Sequence, residues 1–275
     1  MIVLGGSSRQ SLAALRVALD NALKGVSAGD ASAISNDLFK ALVAIDSSTG
    51  LRRALTDSAR DASSKSDLVT ELFKKSLGGP ALSLLATATS LRWSAPSGIA
   101  DAIEQIAVEA EAAAANLSNS LDQVQSEIFT FSKLLIENPD LRTALSERAQ
   151  SPESKQALLK SIFGSKFSAS TNSLLSHSVE SRRARSIEKT IAAYSHAVTA
   201  RRNRVNAHIK SSIALSDGQA KKLADSLTKQ IGQPVHLNIE IDPSVLGGIS
   251  IRFGDEVIDG TISNRLAEAS RALVS

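Results

Sequence analysis

Four histidines, His177, His196, His208 and His236, are the side chains best suited to move protons near neutral pH. None stands from another histidine or a carboxylate at a spacing that would build a zinc site. Ser176-His177-Ser178 puts hydroxyls beside an imidazole. Neighbours on a helix point in different directions, and no nucleophile elbow surrounds them, so no triad is read there. Asp242 and Asp259 are candidate paired acids. Both follow apolar strand patterns at chain breaks, where aspartate accepts local backbone N–H bonds. Gly164-Ser165-Lys166 lacks the first glycine and the final hydroxyl of a phosphate-binding loop, and reads as a helix-terminating turn. Gly5-Gly6 and Gly78-Gly79-Pro80 are punctuation of the same kind. The chain has no cysteine, which removes thiol chemistry and thiolate metal sites. No enzyme activity, cofactor or metal is expected.

The remaining chemistry is ionic. Net charge is only +3, but Asp101 to Asp140 is acidic, with Lys133 as its one base. Arg182, Arg183, Arg185, Lys189, Arg201, Arg202, Arg204 and Lys210 crowd the following basic stretch. Such a run can neutralise phosphates. Readers of single-stranded RNA also stack bases on aromatics, and only Tyr194 lies in the run and Phe253 in the strands beyond it. A basic RNA- or ribosome-associated adaptor is the alternative function. A solvated helix surface, or contact with an acidic protein, fits the residues better. No bulky apolar face backs the charges for membrane-surface binding, and no run of about 18 apolar residues crosses a bilayer.

The elements around these residues are mainly helical. Hydrophobic content is 43% but aromatics are 3%, so alanine and leucine must build close-packed helices. Leu12, Leu15, Leu19 and Leu23 mark a helix over Ser7–Leu23, and Ile34, Leu38, Leu42 and Ile45 a second over Ala33–Ile45. Ser47 to Gly50 is read as a break. Short helices follow at Leu51–Asp57, Lys65–Leu77 and Pro80–Leu91, ending in a single Trp93. Trp93 reads as a buried anchor, or else as an interface residue. Pro96 to Gly98 is read as the next break, then an alanine-rich helix runs from Ile99 towards Ser118.

Leu51-Arg-Arg-Ala-Leu55 returns as Leu141-Arg-Thr-Ala-Leu145, 90 residues later. The same offset pairs Phe39 with Phe129, Lys65 with Lys155 and Phe73 with Phe163 without a gap. We read a tandem duplication of one helical unit. The second copy has helices near Leu121–Glu137, Leu141–Arg148, Pro152–Phe163, Thr171–Glu180 and Ala184–Thr199, with Asn138-Pro139-Asp140 as a separator.

After Arg204 the period becomes two. Val205, Ala207, Ile209 and Ser211 alternate with polar residues as a strand, and Ser216-Asp217 caps a helix over Gly218–Ile231. Val235, Leu237, Ile239 and Ile241 put four apolar side chains on one strand face. Asp242-Pro243 ends it. Gly247-Gly248 reverses the chain, and Ile249, Ile251 and Phe253 alternate again. Gly254-Asp255 is a second tight turn, Glu256–Ile258 a short returning strand, and Asp259-Gly260-Thr261 leads to a helix running to Val274. The fold class is therefore mainly α: two tandem helical bundles, residues 1–98 and 99–200, followed by a small C-terminal α/β domain, residues 201–275.

This last stretch resembles the C-terminal signature of the delta subunit of F-type ATP synthases, the oligomycin-sensitivity-conferring protein family. The matching residues are Asp242, Leu246, Gly247, Gly248, Ile249, Arg252, Gly254, Asp255, Ile258, Asp259 and Gly260, with Pro243 between them. Thr261 stands where the family often has serine. The resemblance implies a stator subunit that joins the catalytic head to the peripheral stalk and resists rotor torque. It implies that a six-helix bundle, here 99–200, grips the N-terminal helix of an alpha subunit. The C-terminal domain would hold the C-terminal ends of the b subunits. No nucleic acid is implied, and the membrane is reached only through the complex, at the cytoplasmic face of a bacterial cell membrane. The bundle over residues 1–98 is extra to the family's usual length. Asp242, Pro243, Gly247, Gly248, Arg252, Gly254, Asp259 and Gly260 are expected to shape turns rather than touch a ligand.

Overall fold

The computed structural model describes residues 6–147, 149–180, 186–231, 235–243, 245, 247–253 and 256–259. They are mainly helical and end in a small mixed sheet. The chain divides into two compact units, residues 1–199 and 200–275.

The first unit is built from α1 (Gly6–Ala22), α2 (Ala28–Ser47), α3 (Thr49–Thr56), α4 (Ala62–Phe73), α5 (Gly79–Ser90), α6 (Pro96–Leu117), α7 (Leu121–Glu137), α8 (Pro139–Ser146), α9 (Pro152–Phe163), α10 (Ala169–Glu180) and α11 (Ile187–Val205). α11 continues across the boundary between the units. Local chemistry sets these starts. Ser27 and Asp30 form a capping box at α2, and Asp61 and Ser151 cap α4 and α9. Pro80, Pro96, Pro139 and Pro152 sit in first turns, where a missing N–H costs nothing. This corrects two expected breaks: Pro96 and Gly98 belong to α6, and Pro139 and Asp140 to α8. Proline there starts a helix instead of separating two. Likewise only Ser48 interrupts α2 and α3. Its side chain accepts the Leu51 N–H and carries Gly50 into the helix.

The helix bounds repeat. α3 and α8, α4 and α9, and α5 and α10 each begin and end 90 residues apart. α2 and α7 end 90 residues apart, and α1 and α6 begin 90 residues apart. Equivalent contacts recur as well. The Gly78 N–H donates to Asp37 Oδ2 at 2.8 Å, and the Ser168 N–H donates to Glu127 at 3.0 Å. In each case a carboxylate on one helix receives the N–H of the residue preceding α5 or α10, where the helix dipole favours negative charge.

α6 is the axis of this unit. From Gly98 to Asn116 every residue except Asp101 and Gln105 is buried. It packs on α1, α2, α3, α5, α7 and α10, most extensively on α2. A helix buried on all sides needs small residues so that several neighbours can approach, and five of the seven positions from Ala110 to Asn116 are Ala. Two of the buried acids are answered from neighbouring helices. Glu109 takes Arg16 at 2.7 Å, and Glu111 accepts the Ser32 hydroxyl at 2.9 Å.

In the second unit, β1 (Asn206–Ser211), α12 (Asp217–Ile231), β2 (His236–Ile241), β3 (Ile249–Phe253) and β4 (Glu256–Asp259) give the sheet order β2-β1-β3-β4. β1 and β2 are parallel, with α12 as the crossover, while β1–β3 and β3–β4 are antiparallel. Ala207, Ile209, Leu227, Val235 and Ile251 form its core. The four-residue apolar face expected over 235–241 is only partly buried. Val235 and Leu237 pack inward, whereas Ile239 and Ile241 are 38% and 57% exposed. Among the described residues β2 pairs with β1 alone, and strand alternation does not say how far the cover extends.

Candidate functional site

The signature residues fall on the β2–β3 connection and its surroundings. The Asp242 N–H continues the β1 pairing by donating to the Ser211 carbonyl at 2.9 Å. The Asp242 carboxylate receives Lys210 Nζ at 3.1 Å, with Glu240 farther away at 3.9 Å. The hydrogen bond to Asp242 and the charges of Glu240 and Asp242 push the Lys210 ammonium upward from its ordinary value. Pro243 occupies the turn, and the Val245 N–H donates back to the Asp242 carbonyl at 3.1 Å. Gly247 and Gly248 have φ of +66° and +84°, the left-handed region that glycine enters without a Cβ clash. Arg252 lies on the exposed side of β3 opposite His208, and Asp259 stands in register with Ser250. Gly254 and Gly260 lie outside the described residues, as do Leu246, Asp255, Thr261 and the expected helix to Val274.

A second cluster lies inside the helical unit and was not read from the sequence. His177 on α10 stacks on Phe39 of α2, with ring centroids 4.1 Å apart and planes 13° from parallel. Its Nδ1 is hydrogen-bonded to Glu180 at 2.8 Å and its Nε2 to Asn36 Oδ1 at 2.9 Å. Gln156 Nε2 donates to the other Glu180 oxygen at 2.6 Å. Burial pushes the Glu180 carboxyl up. The hydrogen bond and charge of His177, with Gln156, outweigh that and leave it below its ordinary value. Tyr194 of α11 stands 6.0 Å from Phe39, ring centre to ring centre. The 90-residue pairing of Phe39 with Phe129 was the available signal, but such a pairing does not say which of the two rings is covered.

These arrangements hold helices together; they do not assemble a reacting centre. Trp93 is half-buried, donates from Nε1 to the Ala88 carbonyl at 2.8 Å and lies against Gly98. Among the described residues no group of three or more His, Asp or Glu could hold a metal ion, and no helix is long and apolar enough to cross a membrane. The large apolar side chains left open include Val17, Phe129, Ile136 and Ile213. Such faces suit protein contacts.

Comparison with known proteins agrees with this reading. The family model "ATP synthase delta (OSCP) subunit" matches residues 108–273. The ATP synthase subunit delta of Streptomyces coelicolor is 37% identical over 98% of both chains. That of Thermobifida fusca is 35% identical over 98% of each chain. A chain in the cryo-EM structure of the Toxoplasma gondii mitochondrial ATP synthase hexamer is similar over 61% of this chain and 97% of its own, at 18% identity and TM-score 0.32. The family match spans more than half of the chain, and full-length relatives share over a third of its residues. The chain therefore belongs to the ATP synthase delta (OSCP) family, the non-catalytic peripheral-stalk subunits of the F-type ATP synthase.

Proposed function

We propose that this chain joins the catalytic head to the b-subunit stalk and resists the torque of the rotor during ATP synthesis. The helical unit grips the N-terminal helix of an alpha subunit, and the α/β unit holds the C-terminal ends of the b subunits. The chain then works at the cytoplasmic face of a bacterial membrane and reaches that membrane only through the complex. The observation that carries this reading is the pairing, in one delta-family chain, of a helical unit with open apolar helix faces and a separate small α/β unit. Two modest interfaces on one chain reinforce each other through effective concentration, which suits a joint under cyclic load.

The helical unit is a tandem duplication, an idea supported by the 90-residue recurrence of helix bounds and of the Asp37 and Glu127 contacts. The copies are residues 1–98 and 99–200, before an α/β domain over 201–275. Those bounds divide the sequence; in packing, α6 (Pro96–Leu117) opens the second copy and also closes the first, lying against α1, α2, α3 and α5. The signature residues shape the sheet's turns, as the positive φ of Gly247 and Gly248 supports.

The test is binding to catalytic heads stripped of their own delta subunit, by sedimentation or calorimetry. One copy per head, lost when the alpha N-terminal segment is clipped, is the expected result. A folded chain that ignores intact heads overturns the proposal.

A further inference from the structure

His177 sits where α10 meets α2, and both of its ring nitrogens face an oxygen. Nδ1 is 2.8 Å from Glu180 Oε2, and Nε2 is 2.9 Å from Asn36 Oδ1. A neutral imidazole has one N–H and one lone pair, so it can serve only one of these two acceptors. A doubly protonated ring serves both, and its charge meets the Glu180 carboxylate. The Ser173 hydroxyl approaches the same Asn36 oxygen at 3.5 Å, as a second donor would. The His177 side chain is 13% exposed, buried enough to strengthen its bonds and open enough to exchange protons with water. This tie is not part of the 90-residue pattern. Thr87 and Ser90 stand at the positions equivalent to His177 and Glu180, and Ser126 at that of Asn36. The group belongs to the place where α10 of one half meets α2 of the other.

We infer that His177 is a proton-operated latch: as an imidazolium it clips α10 to α2, and it releases Asn36 when the ring gives up its second proton. The Glu180 carboxylate keeps the proton on Nδ1, so the one lost is on Nε2. That nitrogen then turns a lone pair towards the Asn36 oxygen, and two acceptors 2.9 Å apart repel. Stacking on Phe39 holds the ring in either state, so one contact is released and not the whole helix. The surroundings favour the charged ring. Glu180 is the one other ionisable group on α10. The helices α2, α6, α7 and α9 pack against α10 and together carry more acids than bases. On α2, Asp37 pairs with Lys40. On α6, Glu109 takes Arg16, Glu111 takes Ser32, and Glu104 is buried. Glu127 of α7 holds Ser168. On α9, the Glu153 charge acts on Glu180, and Lys155 feels Glu147. Tyr194 of α11 lies on the far side of Phe39, 6.0 Å from it. A contact made only by the charged ring contributes stability that is present at low pH and is lost as rising pH removes the proton.

Isotopic labelling of the histidine nitrogens in the full chain reads the ring directly by NMR, and a His177→Phe variant assigns its signals among the four histidines. At about pH 6 both His177 nitrogens should carry bonded protons, and at about pH 9 only Nδ1 should. A lone pair on Nε2 at the lower pH overturns the inference, because the Asn36 amide is then turned to donate. Denaturant unfolding gives a second readout. Between those two pH values the folding equilibrium constant of the parent should fall about 10-fold more than that of His177→Phe, which keeps a ring on Phe39 but carries no proton to lose. Parallel profiles in the two chains overturn the inference. Asn36→Asp sets a second carboxylate before Nε2 and should carry the loss to higher pH. A loss at an unchanged pH removes Asn36 as the released contact, and the inference falls with it.

Discussion

The Phe39 and His177 rings lie nearly parallel at 4.1 Å, and so tie helices from opposite halves of the 1–199 unit. Phe39→Ala removes the buried ring and should cost about 3–5 kcal/mol in denaturant unfolding. Phe129→Ala, at the equivalent position 90 residues on, should stay within about 0.5 kcal/mol, because that ring is already in water. Equal losses at both positions would contradict the different surroundings of the two rings.

Acid should act on the same tie. Glu180 is held below its ordinary value of 4.5 in the folded chain. A depressed carboxylate contributes stability that is fully present above the unfolded value and lost as pH falls through the lower folded value. Glu180→Gln should therefore lower Tm at pH 7 and flatten the acid side of the stability profile below about pH 4.5. An unchanged profile would exclude Glu180 from the tie.

Arg16 and Glu109 pose a burial problem with a sharp signature. The Glu109 side chain is fully buried and that of Arg16 is 18% exposed. Arg16→Leu should cost about 3 kcal/mol by leaving a buried carboxylate without this partner. Adding Glu109→Leu should recover much of that loss, and a double-mutant cycle by chemical denaturation reads the coupling.

Gly247 tests the other unit. At φ +66° a Cβ is strained, so Gly247→Ala should destabilise the α/β unit by about 1–2 kcal/mol. Hydrogen exchange should show faster opening of β2 and β3 with no change in α1–α10.

Removing residues 1–95 should not release an intact second bundle. The deletion strips α1, α2, α3 and α5 from α6 and exposes Ile99, Ile103 and Ala107, which are fully buried now. The shortened chain should bind a hydrophobic dye and lose cooperative unfolding. Normal unfolding would mean that α6 needs only its second-copy neighbours.

Much of the helical layout was legible because leucine and isoleucine stripes report a buried face directly. Pro152–Phe163 and Leu121–Glu137 coincide with α9 and α7. Prolines misled where Pro96 and Pro139 open helices, since proline is equally at home in a loop and in a first turn. The contacts of α6 were hidden for another reason. Alanine marks no face, so a run from Ala112 to Ala115 reads the same whether one neighbour covers it or several. The joint through His177 was invisible because its partners Asn36 and Phe39 are about 140 residues away, and no local pattern encodes that distance.

In the duplication proposed above, a helix that closes one bundle and opens the next changes how such a chain can lengthen. Each further copy would add five helices, not six, and would inherit its first wall from its predecessor. Growth of that kind is one-dimensional, as in a solenoid, with neighbouring modules sharing material instead of meeting across a seam. α6, enclosed along nearly its whole length, leaves no linker inside the compact unit of residues 1–199 at which its halves could swing apart.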